Sequence, residues 1–164
     1  MLKLLVTSSN TGWTALVLRL GLGAVMFPHG AQLLLGWFGG PGFAGTMNTF
    51  TQMLHIPAPW AFLAIITEFF GALALLAGAF TRLAAAGMAI LMAVAVTTVH
   101  LQYGFFMNWY GSQKGEGFEY HLLAGTIALA LVIAGGGKWS VDSSIARKHL
   151  ARQSERPLTA GALA

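Results

Sequence analysis

Cysteine is absent from the chain, which excludes disulfides, thiol redox chemistry and thiolate-ligated metal centres. Charge is scarce: Asp, Glu, Lys and Arg together make up 9% of the 164 residues, against about a quarter in a soluble domain. No nucleotide-binding motif is recognisable, so no sequence pattern supports a flavin or a haem thiolate. The first residues do not read as a cleaved signal peptide. Lys3 is followed only by the short apolar stretch Leu4–Val6 before the polar run Thr7–Gly12, and the first long apolar run is expected to be retained.

The chain is instead rich in hydrophobic residues, at 56%. A soluble fold of this size could not bury them without leaving large apolar patches exposed. They concentrate in four runs, Trp13–Leu35, Pro59–Ala79, Leu83–Leu101 and Tyr120–Ala134. The first three match or approach the ~20 residues that cross ~30 Å of hydrocarbon. The fourth is shorter, but Phe118 and Glu119 extend it at one end and Gly135–Gly137 at the other. The expectation is an all-α, polytopic membrane four-helix bundle with spans near 13–35, 59–79, 83–101 and 119–137. One domain over 1–142 and a basic tail over 143–164 use nearly the whole chain, leaving no room for a soluble catalytic domain.

Local signals fill in this outline. Pro28 removes a backbone donor and predicts a kink near His29. Phe43, Met47, Phe50 and Leu54 fall at helical spacing, predicting a short amphipathic helix in the outer interface between spans one and two. The brief turn Phe80-Thr81-Arg82 makes spans two and three antiparallel neighbours. The aromatic, glycine-containing segment Gln102–Phe118 is expected to fold over the bundle. In the tail, Val141–Gln153 reads as a surface helix and the last ten residues as disordered.

Charge sets the orientation. Lys3, Arg19, Arg82, Lys138, Arg147, Lys148, Arg152 and Arg156 fall on one side of the four-span scheme, and Lys114 alone on the other. The positive-inside rule then places both termini in the cytoplasm of a cell (inner) membrane. The basic tail is best matched to anionic lipid headgroups; it lacks the aromatic interleaving of a nucleic-acid platform, so no nucleic-acid partner is expected.

An ionisable side chain at membrane depth is expensive and needs a reason. Glu68 lies eight residues beyond Trp60, hence ~12 Å below the outer boundary. Its helix face carries Ala61, Ala64, Gly71, Leu75 and Gly78, small neighbours that direct it toward protein. It is either a protonated or hydrogen-bonded packing residue or a functional acid. His29 follows the proline, with Gln32 one turn on, and His100 ends a small or polar face of span three. Span four opens with Glu119-Tyr120-His121. Residues two apart diverge by ~200° on a helix, so either Glu119 or His121 faces the loop, or the helix begins between them. Glu119 can also serve simply as an N-terminal cap. Arg19, six residues inside the first span, is expected to snorkel to the inner headgroups, and Arg82 to mark a boundary.

His29, Glu68, His100, Glu119 and His121 are thus expected in the outer half of one bundle. Three imidazoles and two carboxylates are chemically sufficient for a metal, but no pair has metal-motif spacing and a metal is the weaker expectation. A quinone headgroup needs only one or two donors at its oxygens and a carboxylate or imidazole to exchange protons. Glu68 and His29 are assigned proton exchange; His100, Glu119, His121 and Gln32 are assigned ligand contacts; Arg19 and Arg82 are assigned structural roles.

Several segments, taken in order, resemble the DoxX family of small four-helix membrane proteins. They are Leu18-Arg19-Leu20, Pro28-His29-Gly30, Gly39-Gly40-Pro41-Gly42-Phe43, Glu68-Phe69-Phe70-Gly71-Ala72, Gly78-Ala79-Phe80-Thr81-Arg82, Gly104-Phe105-Phe106, Gly117-Phe118-Glu119-Tyr120 and Gly137–Asp142. The likeness covers about residues 13–142 and departs at Gln32, where the family often has a lysine shortly after the His-Gly pair. Some members of that family are similar to small membrane subunits of thiosulfate:quinone oxidoreductases, and others are associated with membrane complexes that defend against oxidants. The resemblance therefore implies quinone-linked redox work, with any enzymatic role that of an oxidoreductase subunit. The rival expectation is a non-catalytic scaffold that docks a larger membrane complex or a second copy of itself.

Overall fold

The computed structural model describes residues 12–154, with side chains through Ala151. The expectations for Lys3, for Arg156 and for residues 155–164 lie outside the described residues. Among the described residues all regular structure is helical. Helix α1, Gly12–Leu35, continues through Pro28. A short α2, Gly42–Asn48, runs into a π-helical turn, Thr49–Met53. Helix α3 is Ala58–Ala77. Helix α4, Thr81–Ala95, continues through a second π-helical turn, Val96–His100, to Tyr103. Helix α5 is Glu119–Ala134, and the polar α6 is Val141–Ser154.

Three of these are long and apolar enough to cross a membrane: Gly12–Leu35, Ala58–Ala77 and Thr81–Tyr103. The fourth apolar helix, α5, is shorter than the expected 119–137 span. Gly135 and Gly137 take positive φ values of 78° and 68°, a backbone that glycine adopts without a Cβ penalty and that ends a helix. α1 packs along α3, α3 along α4, α4 along α5, and α5 returns to α1. The shared core is Leu22, Met26, Ala72, Leu75, Ala85, Met88, Ala128 and Leu131. Outward, the helices present Val17, Ile90, Leu123, Leu129 and Ile133, which is how an apolar helix meets lipid. Exposed aromatics gather at both ends, Trp37, Trp60, Trp109 and Tyr110 at one and Trp13, Phe80 and Trp139 at the other, the pattern of interfacial anchoring.

α1 and α3 approach so closely because α1 carries glycine at the contact. A Cβ on Gly30 would stand 2.6 Å from Phe69 Cα, and one on Gly23 2.9 Å from Leu76 Cγ. Gly71 plays the same part between α3 and α4, facing Met88 Cε. Dispersion and close backbone approach, rather than hydrophobicity, hold helices together once all surroundings are apolar.

At the end opposite Trp60, a polar knot joins every apolar helix. Arg19 does not snorkel; it is 2% exposed. Its Nε donates to Gly136 O at 2.9 Å. Nη1 donates to Leu75 O and Leu76 O at 3.1 and 2.6 Å, and Nη2 to Lys138 O and Trp139 O at 3.2 and 3.1 Å. All five guanidinium donors are thereby used. Five carbonyls, three from the turn after α5 and two from the end of α3, hold the side chain in place of the headgroups. Leu75 and Leu76 belong to the last turn of α3, where the helix dipole favours a cation. Gly78, at φ 66°, closes that turn with Gly78 N–H donating to Leu75 O and Ala79 N–H to Ala74 O, a Schellman pattern. The carboxylate of Asp142 accepts from Phe80 N–H at 2.7 Å and Thr81 N–H at 2.9 Å, capping the start of α4. Arg82, in the first turn of α4, is half-buried.

Candidate functional site

At the other end, α1, α3, α4 and α5 diverge around a cavity of about 370 Å³, within the ~300–1,000 Å³ range of small-molecule sites. Each helix supplies polar atoms for a local reason. On α1, Met26, His29 and Gly30 share one face at i, i+3 and i+4; Gly30 brings α3 into backbone contact, and Met26 and His29 line the space beside it. On α3, Glu68 lies ten residues past Ala58, ~15 Å along the helix, close to mid-depth. It is half-buried, and no hydrogen bond or ion pair from a described residue reaches its carboxyl. The expectation of a hydrogen-bonded packing residue is corrected on this point: the side chain projects into the cavity rather than against a neighbouring donor.

On α4, the π-helical turn Val96–His100 widens the backbone and brings Thr98, Val99 and His100 to the cavity. Such turns recur where a helix serves a site. His100 Nδ1 lies 2.8 Å from Glu116 O. A carbonyl only accepts, so Nδ1 carries the proton and the neutral ring keeps its lone pair on Nε2. On α5, His121 packs against His100 with ring centroids 3.9 Å apart and planes tilted by 36°. Its Nδ1 is buried without a hydrogen-bond partner, a rare state for an imidazole nitrogen. Tyr120 O–H donates to Met26 Sδ at 3.4 Å, and its ring stands 6.2 Å from that of His29.

The cavity has an apolar lid. Phe50, Leu54 and Ile56, from the α2 turn and the segment after it, face inward. Phe50 and Leu54, which fall in the expected interfacial helix, therefore line the site. Met107 and Glu116 of the loop between α4 and α5 complete the rim.

His29, Glu68, His100 and His121 are thus brought together around one space; Glu119 and Gln32 are not. Glu119 Oε1 accepts from Met107 N–H at 2.9 Å and Trp109 Nε1–H at 3.1 Å. The ~200° divergence is resolved with His121 inward and Glu119 toward the loop. Gln32 Nε2 donates to Phe38 O at 3.3 Å, drawn to the glycine-rich turn that follows α1. Glu116, Tyr120, Met26 and Met107 are among the lining residues that sequence reasoning missed. The i, i+3 relation of Met26 to His29 was a usable signal; the loop residues offered none. Among the described residues, no three His, Asp or Glu side chains are grouped so as to hold a metal ion.

A model of the DoxX family matches residues 14–101, more than half of the chain. The chain belongs to the DoxX family. The matched stretch carries Arg19, His29, Glu68 and His100, and stops before the loop between α4 and α5 and before α5 itself. No curated protein and no solved structure matches the chain. DoxX membership makes this a small membrane protein.

Proposed function

We propose that this DoxX protein crosses the bilayer four times as a closed bundle with both termini cytoplasmic, and holds a quinone-type ring in the outer-half cavity. The observation that carries the reading is Glu68: a carboxyl near mid-depth, hydrogen-bonded by no described residue and facing a cavity shared with three imidazoles. An unpaired ionisable group in a membrane interior is a functional candidate by default. A quinone carries two protons and two electrons between its oxidised and reduced forms. The residues present suit the protons. His100, held as the Nδ1–H tautomer, offers Nε2 to a ring hydroxyl. His121 has an unsatisfied nitrogen beside it, and Glu68 and His29 are placed to take up and release protons. Apolar residues Leu91, Val94, Phe50 and Leu54 shape the space around a flat ring and exclude water. The role inferred is to bind the ligand and move its protons, as a subunit of a larger quinone-linked assembly.

The test is binding of reduced menadione to the full-length protein in lipid nanodiscs. Saturable binding is expected, with Glu68→Gln and His100→Ala each weakening it about tenfold, the scale of one hydrogen bond involving an ionisable group. Absence of saturable binding by the wild-type protein would retire the reading.

A second reading has its own observation. Trp109 and Tyr110 are 78% and 95% exposed on the outer loop, and exposed aromatics of this kind anchor partners as well as lipid. In a scaffold, polar cavity residues would only knit the helices, and Trp109→Ser with Tyr110→Ser would release a partner complex while cavity variants would not.

A further inference from the structure

A second concavity lies outside the first. Between α4 and α5, facing away from the bundle, runs an open groove of about 580 Å³. Its floor is built from Ala89, Ala93 and Gly125, and exposed Ile90, Leu122 and Leu129 form its flanks. His121 and Met92 line both this groove and the internal cavity, so the two spaces adjoin at these residues. The groove's own hydroxyls are already satisfied: Thr97 Oγ1 donates to Ala93 O at 3.0 Å and Thr126 Oγ1 to Leu122 O at 2.8 Å. What remains is hydrocarbon surface, suited to an apolar chain rather than to a hydrogen-bonding partner.

We propose that the groove between α4 and α5 receives the hydrocarbon tail of the ligand whose ring occupies the cavity, and that His121 and Met92 form the threshold between tail and ring. The ligand class is thereby narrowed to lipid-phase molecules, a polar ring bearing a prenyl-type chain. This rests on the cavity reading above and adds a location that the cavity alone does not imply. His121 suits a threshold. Its ring packs against His100 at a centroid distance of 3.9 Å, and its Nδ1 has no hydrogen-bond partner among the described residues, so little besides packing holds it in place.

Groove-filling variants provide the test. A Cβ on Gly125 would meet Met92 Cβ at 3.6 Å, an ordinary contact, so Gly125→Ala should be neutral. Gly125→Leu and Ala93→Leu would fill the groove from residues that do not line the cavity. Menadione and its tetraprenyl counterpart are titrated against full-length protein in nanodiscs of one lipid composition, and each variant is compared with wild type for each probe, which cancels membrane partitioning. Filling the groove is expected to weaken the tetraprenyl probe about tenfold and leave menadione unchanged. Equal binding of the tetraprenyl probe by wild type and both leucine variants would overturn the tail site while leaving the cavity reading intact. Failure of wild type to bind menadione would remove both. A diazirine at the tail end gives a second readout that does not depend on the variants' folding. Labelling of Ile90, Leu122 or Leu129 in wild type supports the site; labelling confined to the α3 face around Ala64 contradicts it. A shift in oligomeric state on Gly125→Leu, with tetraprenyl binding unchanged, would assign the groove to a second copy of the chain instead.

Discussion

Arg19 and Glu68 are both ionisable groups inside apolar helices, and their surroundings treat them oppositely. Arg19 has all five donors on backbone carbonyls, whereas no described residue hydrogen-bonds to Glu68. Removing Arg19 strands several buried acceptors at about 1–3 kcal/mol each. Arg19→Met is therefore expected to lower thermal stability severely. Arg19→Lys should fall between Met and wild type, because an ammonium's three donors cannot reproduce the planar fork. Unfolding midpoints in one detergent check the order; a Met variant as stable as wild type would refute the knot. Glu68→Gln should leave the same midpoint nearly unchanged, since no hydrogen bond from a described residue is lost. The sequence marked both residues as exceptional by depth, yet assigned Arg19 to the headgroups. The carbonyls that hold it come from Leu75, Leu76, Gly136, Lys138 and Trp139, and nothing in a linear reading brings those segments to residue 19.

Among the helices, close approach is set at a few glycines. Gly30 seats α1 against the backbone of Phe69, next to Glu68 and His29. Gly30→Leu should force α1 and α3 apart at the cavity, costing about 1–3 kcal/mol and weakening menadione binding together with stability. Asp142 ties the segment after α5 to the start of α4 with both carboxylate oxygens. Asp142→Asn leaves one acceptor for two donors and should cost about 1–2 kcal/mol, with no effect on menadione affinity because the cap lies at the far end of the bundle. An affinity change in Asp142→Asn as large as in Gly30→Leu would mean the two ends are coupled. Helix existence was legible in the apolar runs, to within a few residues for α1, α3 and α4. The carboxy-terminal end of α5 was not, because Gly135–Gly137 read as apolar continuation when their φ angles end the helix. The inward turn of Phe50 and Leu54 was equally hidden: helical spacing defines an apolar face, but not whether lipid or a cavity receives it.

Across the whole molecule, polarity is distributed end to end. Arg82, Lys138, Arg147 and Lys148 share the end with the Arg19 knot, while the cavity opens near the end that carries Lys114. A reporter fused after Ala164 should therefore read out in the cytoplasm; an external signal would invert the placement of the cavity. Four of the six residues assigned to proton exchange or ligand contact line one space, and the two that do not, Gln32 and Glu119, are held by loop groups. What that space contains in the cell is open to direct assay. Full-length protein purified in mild detergent can be extracted with organic solvent and its quinone content measured per chain by mass spectrometry, beside a Glu68→Gln, His100→Ala double variant prepared identically. A quinone retained near one per chain in wild type and lost from the double variant is the expected result. Wild-type protein with no more quinone than the double variant would contradict the assignment of the cavity.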